Sequence, residues 1–208
     1  MEDVLDVYTR AYEEGNVLIC MDETSKQQIQ EVRAPRPPAP GVPYRYDGEY
    51  QRNGVSNLFM FFAPLDGWRH VEVTDQRTKS DWANAIRQLV DEHWPEVKKI
   101  TLVMDNLNTH NPSSLYEAFP PGEAKRILDK LEIHYTPKHG SWLNMAEIEL
   151  GILVRQCLSR RIPDQPTLVR ETAAWEKDRN KKRATVDWRF TMGDARIKLK
   201  RLYPSFEV

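Results

Sequence analysis

Cysteine is scarce in this chain of 208 residues, since only Cys20 and Cys157 occur and each lies within an apolar stretch. There is no CxxC pair and no cluster of Cys with His, so nothing in the sequence indicates a zinc site. Two cysteines also do not make the disulfide framework of a small secreted protein. We therefore interpret both as buried, unreactive thiols.

Long hydrophobic runs are absent as well. The longest, LFMFFAPL over residues 58–65, is far too short to cross a bilayer. The first residues, MEDVLDVYTR, lack the basic and apolar regions of a signal peptide. Hydrophobic residues make up 40% and charged residues 29%, which is ordinary for a globular protein. We expect a cytoplasmic protein, with no membrane partner, whose length suffices for one sizeable domain.

Charge is unevenly distributed, although the net charge is only −1. Residues 151–208 contain 14 Lys and Arg against 7 Asp and Glu, whereas the first 150 residues contain 16 against 24. A basic end on an acidic body suits a protein that binds a polyanion with one surface and cations with another. On composition alone, a solvent-exposed basic helix explains the basic end better.

Hydrophobic periodicity predicts secondary structure along the whole chain. The predicted strands are 16–23, 27–33, 55–64, 67–75, 98–105 and 132–137, and the predicted helices are 2–14, 79–94, 123–131, 142–158, 167–183 and 194–202. The Pro-rich segment APRPPAPGVP (34–43) cannot form regular structure, because proline removes donors and fixes φ. We expect it to form an irregular loop at a hairpin tip or at the edge of the sheet.

The order of these elements is several antiparallel strands followed by alternating helices and strands. This order predicts an α/β fold with a mixed central β-sheet and helices on both faces, which is the order of the ribonuclease H-like fold. No second domain boundary is visible, so we expect a single domain over residues 1–208 with a basic C-terminal helical part (164–203).

Two of the predicted strands, NVLICMD and KKITLVMD, are mostly apolar and then end in an acid, Asp22 and Asp105. A carboxylate at the end of a buried strand costs desolvation unless a positive group neutralises it. Ligands of open sheets also tend to bind at the carboxyl ends of the strands. Two such residues on neighbouring strands could share a hard cation such as Mg²⁺.

A third oxygen ligand should come from the apolar helix after Trp142, which carries Glu147 and Glu149. Residues two apart on a helix point in directions about 200° apart, so only one of these acids can face the site. Their spacing from the side expected to be buried favours Glu147 weakly. Taken singly, each acid has a simpler explanation as a turn cap or a solvent-facing residue; taken together, the three favour a metal site.

Three segments carrying these acids resemble the catalytic signatures of DDE transposases. They are MDETSK (21–26), VMDNLNTH (103–110) and TPKHGSWLNMAEIE (136–149). The closest resemblance is to the bacterial insertion-sequence branch of the mariner-like superfamily, and it extends over residues 3–204. It implies that Asp22, Asp105 and Glu147 are the catalytic and metal-binding residues. Met145 stands where the family commonly has proline, which leaves the glutamate in place.

The resemblance also implies an activity. A ribonuclease H-like domain of this kind uses two divalent ions, Mg²⁺ or Mn²⁺, to cleave double-stranded DNA at transposon ends and to transfer the 3′-hydroxyl into target DNA. It works as a homodimer in the active DNA complex. One alternative is a non-catalytic or domesticated DNA-binding or assembly module. Another keeps the fold but acts on RNA–DNA hybrids or branched junctions.

Auxiliary residues follow from the same segments. Asn106 and His110 match the family's DNxxxH pattern and are candidates for second-layer support of the metal ligands, with an Asx-turn and a structural loop histidine as the alternatives. Trp142 is more typical of a core aromatic than of a base-stacking platform. The candidate DNA-binding residues are Lys138, His139, Arg155, Arg160, Arg161, Lys181, Lys182 and Arg183. The family's N-terminal helix-turn-helix domains are not expected here, because the first strand begins at residue 16.

Overall fold

A computed structural model describes residues 1–11, 13–45 and 48–203. Its centre is a five-stranded sheet of β1 (Asn16–Glu31), β2 (Tyr50–Ala63), β3 (Trp68–Thr74), β4 (Lys99–Met104) and β5 (Leu131–Tyr135). The strand order is β3-β2-β1-β4-β5. β2 and β3 pair antiparallel, whereas β1, β4 and β5 are parallel. The predicted mixed sheet is therefore confirmed.

β1 is longer than the sequence predicted. The separate strands expected over 16–23 and 27–33 are wrong, because β1 runs without interruption through residue 31. β2 pairs with it from Cys20–Phe62 to Glu31–Tyr50, with one register shift between Gln27 and Ile29. The second half of this hairpin extends beyond β4, whose pairing with β1 ends at Cys20. The Pro-rich segment 34–43 lies in the connection from β1 to β2 and contains only isolated bridges.

Seven α-helices surround the sheet within the described residues: α1 (Glu2–Thr9), α2 (Lys79–Gln88), α3 (Pro112–Ala118), α4 (Pro121–Asp129), α5 (Met145–Leu153), α6 (Gln165–Lys182) and α7 (Met192–Lys198). α1 ends five residues earlier than predicted, because Arg10 is extended. α3 was not predicted. The single helix expected over 142–158 is instead a 3₁₀ turn (Ser141–Leu143), α5, and a π-helical turn (Val154–Leu158). No described helix is long and apolar enough to cross a membrane.

Helices cover both faces of the sheet, as predicted. Successive side chains of a strand point to opposite faces, so Ile19 and Met21 pack with α2, α3 and α4, while Cys20 packs with α1, α5, α6 and α7. Each cluster is composed of buried apolar side chains. Burying each large apolar side chain contributes about 1.5–3 kcal/mol to the free energy of folding, and this burial holds the layers together. The sheet's central strands are thus buried on both sides.

Candidate active site

The parallel pairing of β1 with β4 brings the two predicted aspartates to one level. Cys20 is opposite Val103, and the same offset places Asp22 opposite Asp105, the residue that follows β4. Cys20 and Val103 both belong to the cluster that α5 covers. By alternation, Asp22 points to that same face of the sheet. β1 continues past Asp22, however, so this carboxylate lies within a strand and not at its end.

Asn144 fixes the start of α5 against β1. Its side-chain oxygen accepts a hydrogen bond from the N–H of Ala146 at 3.1 Å and so caps the helix. Its Nδ2 donates to the carbonyl of Met21 at 2.7 Å, one residue before Asp22. Glu147 lies in the first turn of α5 and is exposed. The helix therefore brings Glu147 to the edge of the sheet where Asp22 lies.

Electrostatics show that the three carboxylates are neighbours. Burial, together with the negative charges of Asp105, Glu147 and Glu23, raises the pKa of Asp22 to about 6, although a hydrogen bond from the N–H of Glu23 acts in the opposite direction. Among the described residues, no Lys, Arg or His forms an ion pair with Asp22 or Glu147. Asp22 is thus a half-buried acid whose neighbours add negative charge, which is a typical environment for a cation ligand.

The donor atoms at this edge suit a hard divalent ion, since all of them are carboxylate oxygens. Within residues 1–11, 13–45 and 48–203, no group of three or more His, Cys, Asp or Glu side chains has the arrangement of a metal site. Mg²⁺ sites usually need only one or two carboxylates, with water and substrate phosphate completing the coordination. The residues present therefore fit such an ion. Asp22 and Asp105 would be the ligands whose positions the fold constrains most.

A buried histidine links Asp105 to β1. His110 Nδ1 is 2.6 Å from Asp105 Oδ1, and its Nε2 is 3.2 Å from Glu23 Oε2. The histidine is fully buried and packs against the ring of Trp82. Burial lowers its pKa, but hydrogen bonds with Asp105 and Glu23 outweigh this and raise it to about 9. An imidazolium here orients the Asp105 carboxylate by a charge-assisted hydrogen bond.

Glu23 was not among the predicted site residues. It accepts a hydrogen bond from Arg77 at 2.8 Å in addition to its contact with His110, and its side chain is only 5% exposed. No signal in the sequence identified it, because neighbouring strand residues face opposite sides of the sheet and its contact with His110 joins residues 87 apart. Asn106, by contrast, is exposed, and no hydrogen bond joins it to Asp105 within the described chain.

The expected burial of the two acids on α5 is reversed. Glu149 is 2% exposed and lies between Arg69 at 3.3 Å and Arg179 at 2.5 Å. Arg69 is itself fully buried on β3, where it also donates to the carbonyls of Gly67 and Ala184. Glu147 is on the exposed side. The buried arginine, which the sequence pattern did not reveal, is the reason that Glu149 and not Glu147 points inward.

Lys138 and His139 lie in the loop between β5 and α5. The loop begins beside β4, since the N–H of Thr136 donates to the carbonyl of Met104 at 2.9 Å. Both side chains are exposed, and neither forms an ion pair within the described chain. His139 has a φ of 63°, which is unusual for a residue with a side chain and typical of functional loops. The loop that carries these two predicted DNA-binding residues therefore starts next to the end of β4, which Asp105 follows.

The remaining predicted DNA-binding residues lie outside this loop. Arg155 is exposed, whereas Arg160 pairs with Glu171 and Arg161 with Glu31, each at 2.5 Å. Lys181, Lys182 and Arg183 end α6 beside the turn from β2 to β3, where Gly67 lies against the backbone of Arg183. Because β2 is antiparallel to β1, this turn lies at the amino-terminal end of the parallel strands, whereas Asp22 and Asp105 lie toward their carboxyl ends. The structure does not bring this patch to the carboxylates.

Comparison with known families places the chain in a class. Residues 17–169 match the model of the DDE superfamily endonucleases, so the chain belongs to this family. The resemblance of the three segments to DDE transposases is thereby confirmed at the level of the family. A comparison with curated protein sequences finds no match.

Solved structures share the fold at low sequence identity. The Mos1 mariner paired-end complex with Mn matches with a TM-score of 0.59 and 14% identity over 87% of this chain. The Mos1 strand transfer complex matches with a TM-score of 0.56 and 12% identity over the same share. The chain covers 54% and 57% of those two chains, respectively. These matches confirm the ribonuclease H-like α/β fold.

Proposed function

We propose that this chain is the catalytic domain of a DNA transposase, which cleaves DNA strands at transposon ends and joins the freed 3′-hydroxyl to target DNA. The observation that carries the proposal is the half-buried Asp22, whose pKa is raised to about 6 by burial and by the charges of Asp105 and Glu147. Asp22 and Glu147 have no ion pair with a protein cation within the described residues, so their charge calls for a cation from outside. Membership of the DDE endonuclease family supports this choice of chemistry.

Asp22, Asp105 and Glu147 are the residues that would hold divalent ions, Mg²⁺ or Mn²⁺. Bound ions would neutralise charge on the scissile phosphate and on the oxygens that attack and leave. The chain's own part is to fix the ligands. His110 holds the Asp105 carboxylate at 2.6 Å, and Asn144 holds α5 against Met21 at 2.7 Å. Both hydrogen bonds preorganise the acids and so lower the cost of orienting them during the reaction.

Lys138 and His139 are proposed to contact the DNA backbone next to the reacting phosphate. They are exposed, free of ion pairs within the described residues, and carried by the loop that follows β5. Arg155 is proposed to extend this track. Arg160 and Arg161 would first have to leave Glu171 and Glu31. We further propose that the active DNA complex contains two copies of the chain.

Nicking of supercoiled plasmid in Mg²⁺ or Mn²⁺ tests the proposed activity. The wild-type chain should relax the plasmid, and Asp105→Asn should reduce the rate by at least about 100-fold, because a metal ligand is lost. Asp129→Asn is the matched control, since the side chain of this exposed acid on α4 pairs, within the described residues, only with Lys125. Equal rates for the wild type and Asp105→Asn would refute a carboxylate metal site.

A second candidate is a non-catalytic DNA-binding or assembly module. It is favoured by the absence of a three-ligand arrangement among the described side chains. Such a module would bind DNA in a salt-dependent manner and leave the plasmid intact in both metals, and Asp105→Asn would not weaken its binding. Detectable Mn²⁺ binding without nicking would instead indicate a competent site that lacks a DNA-positioning partner.

A further inference from the structure

An exposed tryptophan lies two residues before Asn144, which joins α5 to β1 next to Asp22. Trp142 is 44% exposed, so the core position expected from the sequence is wrong. Its ring contact among the described residues is with Phe190, at 5.6 Å between centroids and an interplanar angle of 79°. Tryptophan is large and is strongly buried in most proteins. Because this indole precedes by two residues the cap that joins α5 to β1 next to Asp22, its exposed area is a candidate for ligand contact.

Hydrogen bonds hold the backbone of the turn that carries Trp142. Gly140 donates to the carbonyl of Pro137 at 2.8 Å, and a Cβ at Gly140 would lie only 2.6 Å from the Pro137 ring. Leu143, which follows the tryptophan, donates to the carbonyl of Gly140 at 2.9 Å and accepts a hydrogen bond from the Tyr8 hydroxyl at 2.6 Å. The backbone on both sides of Trp142 is thus fixed, so little entropy is lost when its ring binds a ligand.

The surroundings of Trp142 indicate what that ligand is. Two residues further on, Asn144 bonds to Met21 next to Asp22. On the other side, Lys138 and His139 are exposed without ion pairs in the described part of the chain. A phosphate held at the carboxylates and a backbone tracked by the cations would bring the flanking bases to this turn. An aromatic ring beside a basic track is the arrangement by which proteins bind single-stranded nucleic acid.

We propose that Trp142, supported by Phe190, stacks on an unpaired base of the DNA strand beside the scissile phosphate. This inference rests on the proposed DNA-cleaving function and specifies the form of its substrate. Inside a duplex, each base face is covered by the neighbouring base pair, whereas a frayed or extruded nucleotide exposes its faces. Every base has such a face, so the turn should select unpaired nucleotides and not a particular sequence.

The test compares two DNAs in an Asp105→Asn background, which prevents cleavage. One is a blunt duplex, and the other is the same duplex with a short unpaired 3′ extension that contains 2-aminopurine. Affinity is measured by fluorescence anisotropy, and stacking by quenching of the 2-aminopurine. Three further variants are compared: Trp142→Ala, Trp142→Phe, and Tyr116→Ala as a matched control, because Tyr116 on α3 is 45% exposed.

Trp142→Ala should weaken binding of the extended DNA about ten-fold and abolish the quenching, while changing affinity for the blunt duplex less than about two-fold. Trp142→Phe should retain most of the affinity, because a smaller ring still stacks. Tyr116→Ala should behave as the background. Since Trp142→Phe keeps an aromatic partner for Phe190, it gives a usable result even if the alanine variant folds poorly.

Equal binding of the two DNAs, or quenching that survives Trp142→Ala, would overturn the stacking role and leave the proposed function intact. Binding of neither DNA by the Asp105→Asn background would overturn the proposed function and, with it, this inference. A Trp142→Ala loss that is the same for both DNAs would assign the residue to general DNA contact, which also contradicts selection of unpaired bases.

Discussion

At the scale of single residues, Asp22 imposes a stability cost on the chain without metal. Its pKa is raised from the ordinary value to about 6, first by burial and then by the charges of Asp105 and Glu147. A folded-state pKa above the unfolded one means that the folded state holds the proton more tightly. Ionisation therefore destabilises the fold above about pH 6, and the cost disappears as the pH falls below the ordinary pKa.

Asp22→Asn should accordingly stabilise the metal-free protein. At pH 8 in EDTA, we expect a free energy of unfolding higher by on the order of 1–2 kcal/mol, seen as a rise of a few degrees in Tm. At pH 5 the rise should be smaller, because Asp22 itself is then largely protonated. The asparagine oxygen can still accept from the N–H of Glu23, so the change is mainly one of charge.

Divalent ions should reverse the order of the two proteins. Mn²⁺ at pH 8 should raise the Tm of the wild type, since a ligand that binds only the folded state stabilises it. The same ion should leave Asp22→Asn nearly unchanged, and Asp129→Asn should respond like the wild type. Differential scanning fluorimetry is sufficient for this comparison. A metal-induced shift that Asp22→Asn retains in full would remove Asp22 from the ligand set.

At the scale of elements, α5 separates two acids that lie two residues apart. Glu149 points inward to the fully buried Arg69 and to Arg179 on α6, and thereby joins α5, β3 and α6. Glu147 points outward in the first turn and has no ion pair among the described residues. The same helix thus carries one acid that serves the fold and one that is available to a ligand.

Glutamine at these two positions should have opposite effects. Glu149→Gln leaves two buried or nearly buried arginines without a counter-charge, so we expect a loss of about 3 kcal/mol in stability, measured by urea unfolding. Glu147→Gln should change stability by less than about 0.5 kcal/mol, as is usual for exposed positions, and should abolish nicking. A stable but inactive Glu149→Gln variant, together with an active Glu147→Gln variant, would show that Glu149 is the site residue and that Glu147 is not.

At the scale of the whole molecule, the fold could be predicted because its central signals are local. The apolar runs that end in Asp22 and Asp105 each specify one buried strand, and parallel pairing of β1 with β4 then brings the acids level. Helices on both faces follow from the alternation of the strands with amphipathic segments. The family signature added the choice of Glu147, which helix geometry alone had favoured only weakly.

Other features depend on contacts that sequence periodicity does not contain. The full length of β1 is set by its antiparallel partner β2. The inward position of Glu149 is set by Arg69, which lies 80 residues earlier in the chain. The contact of His110 with Glu23 joins residues 87 apart. Charged side chains with such partners can be buried, whereas a pattern-based prediction assigns them to the surface.

The predicted DNA-binding cations fall into two groups according to their position in the molecule. Lys138 lies in the loop that starts next to the end of β4, whereas Lys181 and Arg183 lie at the opposite edge of the sheet, near Gly67. A cation near the carboxylates can position the scissile phosphate, but a distant patch can only add to the electrostatic attraction of the DNA. The two groups should therefore affect different steps of the reaction.

Lys138→Ala should lower the nicking rate about ten-fold even when DNA is saturating, because the bound phosphate is held less accurately. The double variant Lys181→Ala with Arg183→Ala should weaken DNA binding and reduce the slope of log affinity against log salt by about 2, while the rate at saturation stays unchanged. Lys125→Ala, which removes an exposed lysine paired with Asp129 on α4, controls for net charge. If the double variant lowered the saturated rate as much as Lys138→Ala, the DNA path would have to reach both edges of the sheet, and the assignment of cleavage to the Asp22 edge alone would fail.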